Sequence, residues 1–329
     1  MSDPGTALKI DIHAHLFDRA YLDAMVRDMA LEKTISASGQ TMLRRNGYTY
    51  MWWRESFFDI DHRLRVMDQQ GIDMRALSLS SPSVYDWPVA RQIPMARHIN
   101  DVTAGLVREH PGRFLGIGTL PLGDIDASLA ELDRLTGELG MRGVMIGSNV
   151  AGMQLNDPRF EPIWARIDAL RLPVFEHPMF PPNVGQEEFE LPLRLGFVFD
   201  TTTCVTRLIY SGIFERYPNF PYIMAHTGGT LLMLLQRLDN GYQLFADCRK
   251  YIRKPPSEYA KRLYYDTASF HAPSILMAHQ IVGVEHILFG SDEPLIGADT
   301  KLIEDLPISD TDKACVLGGN AARLFGLGA

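Results

Sequence analysis

Short apolar segments alternate with longer amphipathic segments along the whole chain. Eight apolar segments are rich in Ile, Val, Leu, Tyr or Phe and have the length of buried parallel strands. They cover residues 8–15, 75–80, 114–121, 143–148, 172–177, 222–226, 262–267 and 286–292. Segments with helical spacing lie between most of them, at residues 94–109, 124–140, 157–170, 230–245, 273–282 and 310–317. This alternation predicts an α/β fold of the (β/α)8 type, the TIM barrel.

An open, doubly wound sheet is the main alternative topology. It is disfavoured because no glycine-rich dinucleotide-binding fingerprint follows the first strand. Two connections are longer than ordinary barrel loops. We expect a small insertion at 16–58 after strand 1 and a lid-like loop at 178–197 after strand 5, both at the carboxyl ends of strands. We expect residues 1–329 to form one domain.

Composition narrows the functional class. The chain has 329 residues, of which 46% are hydrophobic and 22% charged, as in globular proteins. A net charge of −8 argues against nucleic-acid binding, and the apolar runs are too short to cross a membrane. The 3 cysteines cannot form a full disulfide framework, and the polar, acidic start lacks the layout of a signal peptide. We therefore expect a cytoplasmic protein.

Side chains of the types that commonly bind metals lie at the ends of four predicted strands. They are Asp11, His13 and His15 on strand 1, His177 on strand 5, His226 on strand 6 and Asp292 on strand 8. Strand periodicity places the first three on one side of their strand, and barrel strands bring their carboxyl ends to one face. Unrelated polar strand ends are the alternative interpretation, but so many matched groups favour a site. Imidazole and carboxylate suit Zn²⁺ or a similar divalent ion such as Mn²⁺.

Several local motifs occur in an order that resembles a known family. They are Asp-x-His-x-His at 11–15, Glu-His-Pro at 176–178, Ala-His-Thr-Gly-Gly at 225–229, Gly-Ser-Asp-Glu-Pro at 290–294 and Gly-Gly-Asn-Ala-Ala-Arg-Leu-Phe-Gly-Leu at 318–327. The chain resembles the amidohydrolase-2 branch of the amidohydrolase superfamily, and within it aminocarboxymuconate-semialdehyde decarboxylase and related non-oxidative decarboxylases. The resemblance covers nearly the whole chain.

This resemblance implies roles for the polar strand ends. It implies that the metal ligands are His13, His15, His177 and Asp292, and that His226 moves protons beside them. For His226, a buried histidine that is hydrogen-bonded near two glycines is the alternative interpretation. We expect Asp11 to orient a ligand or a neighbouring strand from outside the ligand set.

The resemblance also implies residues that bind the substrate. In the resembling decarboxylases two arginines hold a substrate carboxylate, and one of them comes from a neighbouring subunit. One position matches Arg237, for which a solvated helix arginine is the alternative. The other falls on Met51, whose thioether donates no hydrogen bond to a carboxylate, and Arg54 is the candidate replacement.

Other residues are candidates for the walls of the pocket. We expect Trp87, Met179 and Phe180 to line it, and His271 to reach its mouth as a substrate contact or a support of the site. The aromatic segment at 48–58 either stacks on a flat substrate or forms a small core under the insertion.

These observations predict a metal-dependent, non-oxidative decarboxylase, a carboxy-lyase of an aromatic or unsaturated carboxylic acid that needs no organic cofactor. The Arg237 match predicts a homodimer. We expect a small-molecule substrate and, from the net charge and the short apolar runs, no nucleic-acid or membrane partner. A hydrolase or hydratase of a lactone, amide or conjugated acid is the first alternative, because it would use the same ligands. A barrel that has lost activity and serves as a binding or assembly protein is the second, and the intact ligand set argues against it.

Overall fold

Eight parallel strands form a nearly closed barrel. The computed structural model describes residues 8–29, 31–180, 185–186, 188–297 and 299–327. In chain order the strands are β1 Ile10–His15, β2 Glu32–Ile35, β3 Thr41–Arg45, β4 Tyr48–Trp53, β5 Met74–Ser78, β6 Phe114–Thr119, β7 Gly143–Gly147, β8 Asn149–Val150, β9 Met153–Gln154, β10 Val174–His177, β11 Tyr222–Met224, β12 Tyr264–Asp266 and β13 Ile287–Leu288. The barrel order is β1-β5-β6-β7-β10-β11-β12-β13, so every predicted barrel strand is confirmed.

The barrel closes through the segment that follows β13. The Ile12 amide donates to the Phe289 carbonyl at 2.9 Å, and the His15 amide donates to the Glu293 carbonyl at 2.6 Å. Ala14 also forms a parallel bridge with Glu293. This closure brings the end of β1 beside Asp292, so it builds one side of the polar cluster at the barrel mouth.

Helices surround the barrel. They are α1 Arg19–Asp28, α2 Ile60–Gln70, α3 Val89–Glu109, α4 Ile125–Gly137, α5 Glu161–Leu170, α6 Phe197–Tyr210, α7 Ile213–Arg216, α8 Leu231–Leu244, α9 Pro256–Ala260, α10 Ala272–Val282, α11 Lys301–Glu304, α12 Asp310–Ala314 and α13 Asn320–Leu324. Asp124 caps α4 by accepting from the Ala127 amide at 2.9 Å. Helix α3 begins five residues before the predicted start at Pro94, since the Pro88 carbonyl accepts the first helical hydrogen bonds. Pro94 therefore lies inside the helix and does not begin it.

The insertion after β1 has its own small sheet. Strands β2, β3 and β4 pair antiparallel within the predicted insertion at 16–58. The Glu190 carboxylate of the lid-like loop accepts from the Thr49 amide of β4 at 2.9 Å, so the insertion and this loop are in contact. Residues 181–184 and 187 of the predicted loop at 178–197 lie outside the described residues.

Candidate metal centre

Four donor side chains meet at the carboxyl end of the barrel. His13, His15, His177 and Asp292 each offer one ligand atom, and these atoms lie within 4.8 Å of one another. The Nε2 atoms of His13 and His15 are 3.1 Å apart, and Asp292 Oδ1 lies 3.2 Å from His15 Nε2. The backbone at Gly290 can approach His13 closely because glycine has no side chain: a Cβ there would lie only 2.8 Å from His13 Cβ.

Hydrogen bonds on the outer side of the imidazoles direct their lone pairs inward. His13 Nδ1 lies 2.5 Å from an Asp266 carboxylate oxygen, and His177 Nδ1 lies 3.0 Å from the Pro178 carbonyl. A carboxylate and a carbonyl only accept, so both Nδ1 atoms carry the proton and both Nε2 atoms are free to ligate.

The convergence of these lone pairs is unfavourable without a cation. Asp292 Oδ1 is buried and has no hydrogen-bond partner among the described residues. Buried polar atoms are normally paired, so an unpaired carboxylate oxygen facing two imidazole nitrogens indicates a cation site. Three nitrogen donors and one oxygen donor suit a divalent transition metal or zinc, and the residues present therefore fit such an ion.

The ionisation of the histidines agrees with this role. Burial lowers the pKa of His15 and lowers that of His177 well below its ordinary value, so both rings are neutral at neutral pH as ligation requires. Burial also disfavours charge on His13, but the nearby Asp266 carboxylate outweighs it and raises the pKa of that ring. The negative field of Asp266 therefore favours positive charge at the centre.

Asp11 supports the segment that carries Asp292. Its carboxylate accepts from the Ser291 hydroxyl at 2.6 Å, from the Ser291 amide at 3.0 Å and from Arg75 Nε at 3.1 Å. Arg75 lies on the neighbouring strand β5 and also approaches Glu293 at 3.4 Å. The contacts of Asp11 therefore fix both the adjacent strand and the residue before Asp292.

His226 lies beside the donor cluster with a free ring nitrogen. Its ring centroid is 5.3 Å from that of His13 and 5.5 Å from that of His177. Its Nδ1 has no hydrogen-bond partner among the described residues. Burial lowers the pKa of His226, so the ring is neutral at neutral pH and can accept a proton. The backbone of His226 is left-handed, with φ of 54°, and Asp266 holds the next residue by accepting from the Thr227 amide at 2.9 Å.

A cavity of about 420 Å³ opens over this cluster, a size typical of sites for small organic ligands. His177, His226 and Asp292 form its polar base. Its remaining walls are largely apolar or aromatic, and they include Tyr50, Met51, Trp52, Phe180, Leu193, Phe197, Val198, Phe270, Leu295 and Ile296. Of the aromatic segment at 48–58, Trp53 and Phe57 are instead buried in the core, so this segment contributes to both the cavity and the core.

The structure places Phe180 in the cavity wall, but it does not place Trp87 or Met179 there. Trp87 is buried against Tyr21, with ring centroids 5.3 Å apart. Met179 is buried beside Ser81, whose hydroxyl lies 3.5 Å from its sulfur. The two side chains therefore lie outside the described lining of the cavity, because position after a strand end does not determine whether a side chain turns toward the cavity or toward the surrounding helices.

Three polar candidates also lie outside the described lining of the cavity. Arg54 is exposed, lies 5.8 Å from the Trp52 ring and faces Gln40, outside the described lining that contains Met51. His271 is exposed at the start of α10, where its Nδ1 is 2.9 Å from the Ser274 hydroxyl. Arg237 is exposed on α8, outside the cavity of its own chain.

Sequence reasoning missed Asp266 and Arg75. Asp266 ends β12, so the rule that selected the other strand ends applied to it as well. Arg75 begins a predicted apolar strand, yet it is fully buried, and no sequence signal distinguishes it from a surface arginine.

A parallel barrel with a histidine and aspartate donor cluster at its carboxyl ends defines a metal-dependent barrel protein. The chain matches the amidohydrolase family (Amidohydro_2) over residues 10–327, and it belongs to that family.

Relatives with assigned activities are similar over most of their length. The chain is 28% identical to 2-amino-3-carboxymuconate-6-semialdehyde decarboxylase of Dictyostelium discoideum, over 98% of this chain and 92% of that protein. It is 30% identical to gamma-resorcylate decarboxylase of Rhizobium sp. (strain MTP-10005), over 84% of this chain and 91% of that protein. Among solved structures, 5-carboxyvanillate decarboxylase of Novosphingobium aromaticivorans, with bound manganese and 3-methoxy-4-hydroxy-5-nitrobenzoic acid, superposes with a TM-score of 0.83 at 25% identity. That match covers 98% of this chain and 97% of the other.

Proposed function

We propose that this protein is a metal-dependent, non-oxidative decarboxylase, a carboxy-lyase of aromatic or unsaturated carboxylic acids. The observation that carries the proposal is the uncompensated donor cluster of His13, His15, His177 and Asp292, which opens into an aromatic-walled cavity beside the free ring of His226. The relatives named as decarboxylases support the reaction type.

The walls of the cavity suit a flat, conjugated acid. Tyr50 and Phe180 stack with centroids 5.0 Å apart, and Phe197 meets the edge of Phe180 at 5.2 Å. Such rings bind a planar substrate by offset or edge contacts and exclude water around it. The Tyr50 hydroxyl is held by Asp86 at 2.5 Å, which fixes this wall against the barrel.

The chain supplies the proton transfer. A divalent ion, when bound, polarises the oxygens of the acid and stabilises negative charge that develops beside the carboxylate. Loss of carbon dioxide leaves an electron pair on the ring carbon, and that carbon must take up one proton. His226 is neutral at neutral pH and is placed at the cavity base to accept a proton from the bound acid or solvent and return it to the carbon.

The choice of metal is also part of the proposal. Zn²⁺ and Mn²⁺ both accept three imidazole nitrogens and one carboxylate oxygen, and a related solved structure contains manganese. Metal analysis of the purified protein, followed by chelation and reconstitution with each ion, identifies the active one. No organic cofactor is needed for this reaction.

We further propose a cytoplasmic homodimer built from one domain over residues 1–329, with additions at 16–58 and 178–197. Arg237 is exposed on α8, on the same helix as Met233 and Leu244, each of which has 73% of its surface exposed. No side-chain partner of Arg237 is found among the described residues, and exposed apolar side chains beside such an arginine are typical of a subunit interface. The three free cysteines suit a reducing compartment, and no helix in the described part of the chain could span a bilayer.

Interface and reaction are tested separately. Light scattering of the wild type and of Met233→Glu measures the oligomeric state, and a monomeric wild type would contradict the dimer. Arg237→Ala should weaken substrate binding if the side chain enters the partner's cavity, and unchanged kinetics would make Arg237 a surface residue.

Mass spectrometry of products tests the reaction. Metal-loaded protein is incubated with hydroxy-, amino- and nitro-substituted aromatic acids and their ring-opened relatives. We expect products lighter by carbon dioxide, and His226→Gln should abolish them while keeping the metal. Products heavier by water, or split by it, would favour a hydratase or hydrolase instead.

A further inference from the structure

The cavity has one strong cation in its wall. Among the described residues that line it, Arg194 is the one lysine or arginine. It lies in the turn at Pro192–Gly196, directly before α6. Phe197, three residues later, is half-buried and its ring lies 6.2 Å from that of the buried ligand His177. His177 is buried, Phe197 is half-buried and Arg194 is exposed, so Arg194 belongs to the solvent-facing side of the cavity lining and His177 to its base.

The guanidinium of Arg194 is free for a ligand. No hydrogen bond or ion pair joins it to any described residue. The nearby acid at the helical i−4 position, Glu190, is occupied elsewhere: its carboxylate accepts from the Thr49 amide at 2.9 Å and hydroxyl at 3.1 Å, and lies 3.6 Å from Arg44. The same contacts fix the segment that carries Arg194, since the Arg194 amide donates to the Glu190 carbonyl at 3.1 Å.

No lysine or arginine of the insertion at 16–58 belongs to the described lining of the cavity. Met51 occupies the matching position and is buried in the cavity wall, and Arg54 faces Gln40 outside it. A thioether cannot replace a guanidinium as a donor to a carboxylate. Within one chain, recognition of an anionic group far from the metal donors therefore depends on Arg194.

We propose that Arg194 is a specificity-determining residue that binds a second carboxylate of the substrate, so that the preferred substrates are aromatic dicarboxylic acids. This inference rests on the proposed function. One carboxylate lies at the His and Asp cluster and is the one released, and the other is held at the mouth by Arg194.

Arg194 is assigned to a carboxylate that the product retains. A guanidinium bound to a retained carboxylate stabilises the ground state and the transition state alike. Loss of Arg194 should therefore raise KM for a dicarboxylic acid more than it lowers kcat.

Binding without turnover tests the inference. Calorimetry of metal-loaded protein compares benzene-1,3-dicarboxylate with 3-carbamoylbenzoate, which has nearly the same shape and one charge less. We expect the wild type to prefer the dicarboxylate, and Arg194→Gln to reduce the ratio of the two Kd values about tenfold, as for the loss of one charge-assisted contact. Arg194→Glu should reduce it further.

Arg142→Gln is the matched control. Arg142 is also exposed, but it directly precedes β7 and so lies at the amino end of the barrel, away from the cavity. Its variant should keep the wild-type ratio. The inference would be overturned if the ratio of the two Kd values were the same in the wild type and in Arg194→Gln. It would also be overturned if the metal-loaded wild type bound neither acid. Failure of the proposed function would appear differently, as no release of carbon dioxide from any acid.

Discussion

Replacing Asp266 by asparagine should weaken metal binding although Asp266 is not itself one of the four donors. The two carboxylate oxygens of Asp266 have different partners. One lies 2.5 Å from His13 Nδ1, and the other accepts from the amides of Thr227 at 2.9 Å and Ala268 at 3.0 Å. All three partners donate, so the site requires two acceptor oxygens.

An asparagine satisfies only one side of this arrangement. If its NH2 group faces His13, two donors meet, and the ring must move its proton to Nε2 and lose the lone pair that ligates. If the NH2 group faces Thr227 and Ala268, two buried amides lose their acceptor. The second choice costs about 1–3 kcal/mol of unfolding free energy for each unsatisfied group. The first should weaken metal binding about 10–100-fold, the usual effect of losing a partner behind a ligand.

Competition with a chromophoric chelator measures the metal Kd, and chemical denaturation measures stability. Asp200→Asn is the control, because Asp200 is a buried carboxylate that bonds to Asn149 at 2.8 Å and does not contact the histidine donors. It should keep the wild-type metal Kd. Wild-type metal affinity in Asp266→Asn, with unchanged stability, would refute the assignment of the His13 tautomer.

Two further perturbations test the buried groups around the centre. Burial raises the pKa of Glu176 well above 4.5, and among the described residues its carboxyl has one partner, Thr201 at 3.0 Å. The folded protein therefore holds a proton that the unfolded chain releases above about pH 4.5. The loss of stability with rising pH that comes from this group is absent in Glu176→Gln, so the Tm advantage of the variant should grow as the pH rises above about 4.5. A Tm difference that stays constant with pH would contradict the buried neutral carboxyl. Arg75→Met leaves Asp11 without its buried cation and should lower the unfolding free energy by about 3–5 kcal/mol in urea titrations, whereas a loss below about 1 kcal/mol would show that Asp11 does not depend on Arg75.

The barrel and its donor cluster are predictable from sequence because both depend on strand periodicity. Apolar runs mark the eight buried strands, and the polar residue that ends each run lies at the shared carboxyl face. For this reason His13, His15, His177, His226 and Asp292 come together in the structure as the strand pattern predicts. The same pattern applies to Asp266, which ends the short strand β12, but a single aspartate without a neighbouring histidine carries little signal for a metal centre.

The substrate side of the cavity was not predictable in the same way. Its walls come from loops and from the insertion, where no fixed period relates sequence position to side-chain direction. Met179 follows His177 by two residues yet turns into the core, whereas Phe180 turns to the cavity. Arg194 lies in a π-helical turn that leads directly into α6, within the segment that the sequence predicted only as a loop. Its place in the cavity lining therefore required the three-dimensional structure.

Release of labelled carbon dioxide tests the central claim most directly. Aromatic acids carrying ¹³C in the carboxyl group are incubated with metal-loaded wild type, with chelator-treated protein and with the treated protein after metal is restored. We expect ¹³CO2 from the loaded and restored samples and none from the chelated one. Conversion of the acids with the label retained in the product, or release that is unaffected by removal of the metal, would contradict the claim.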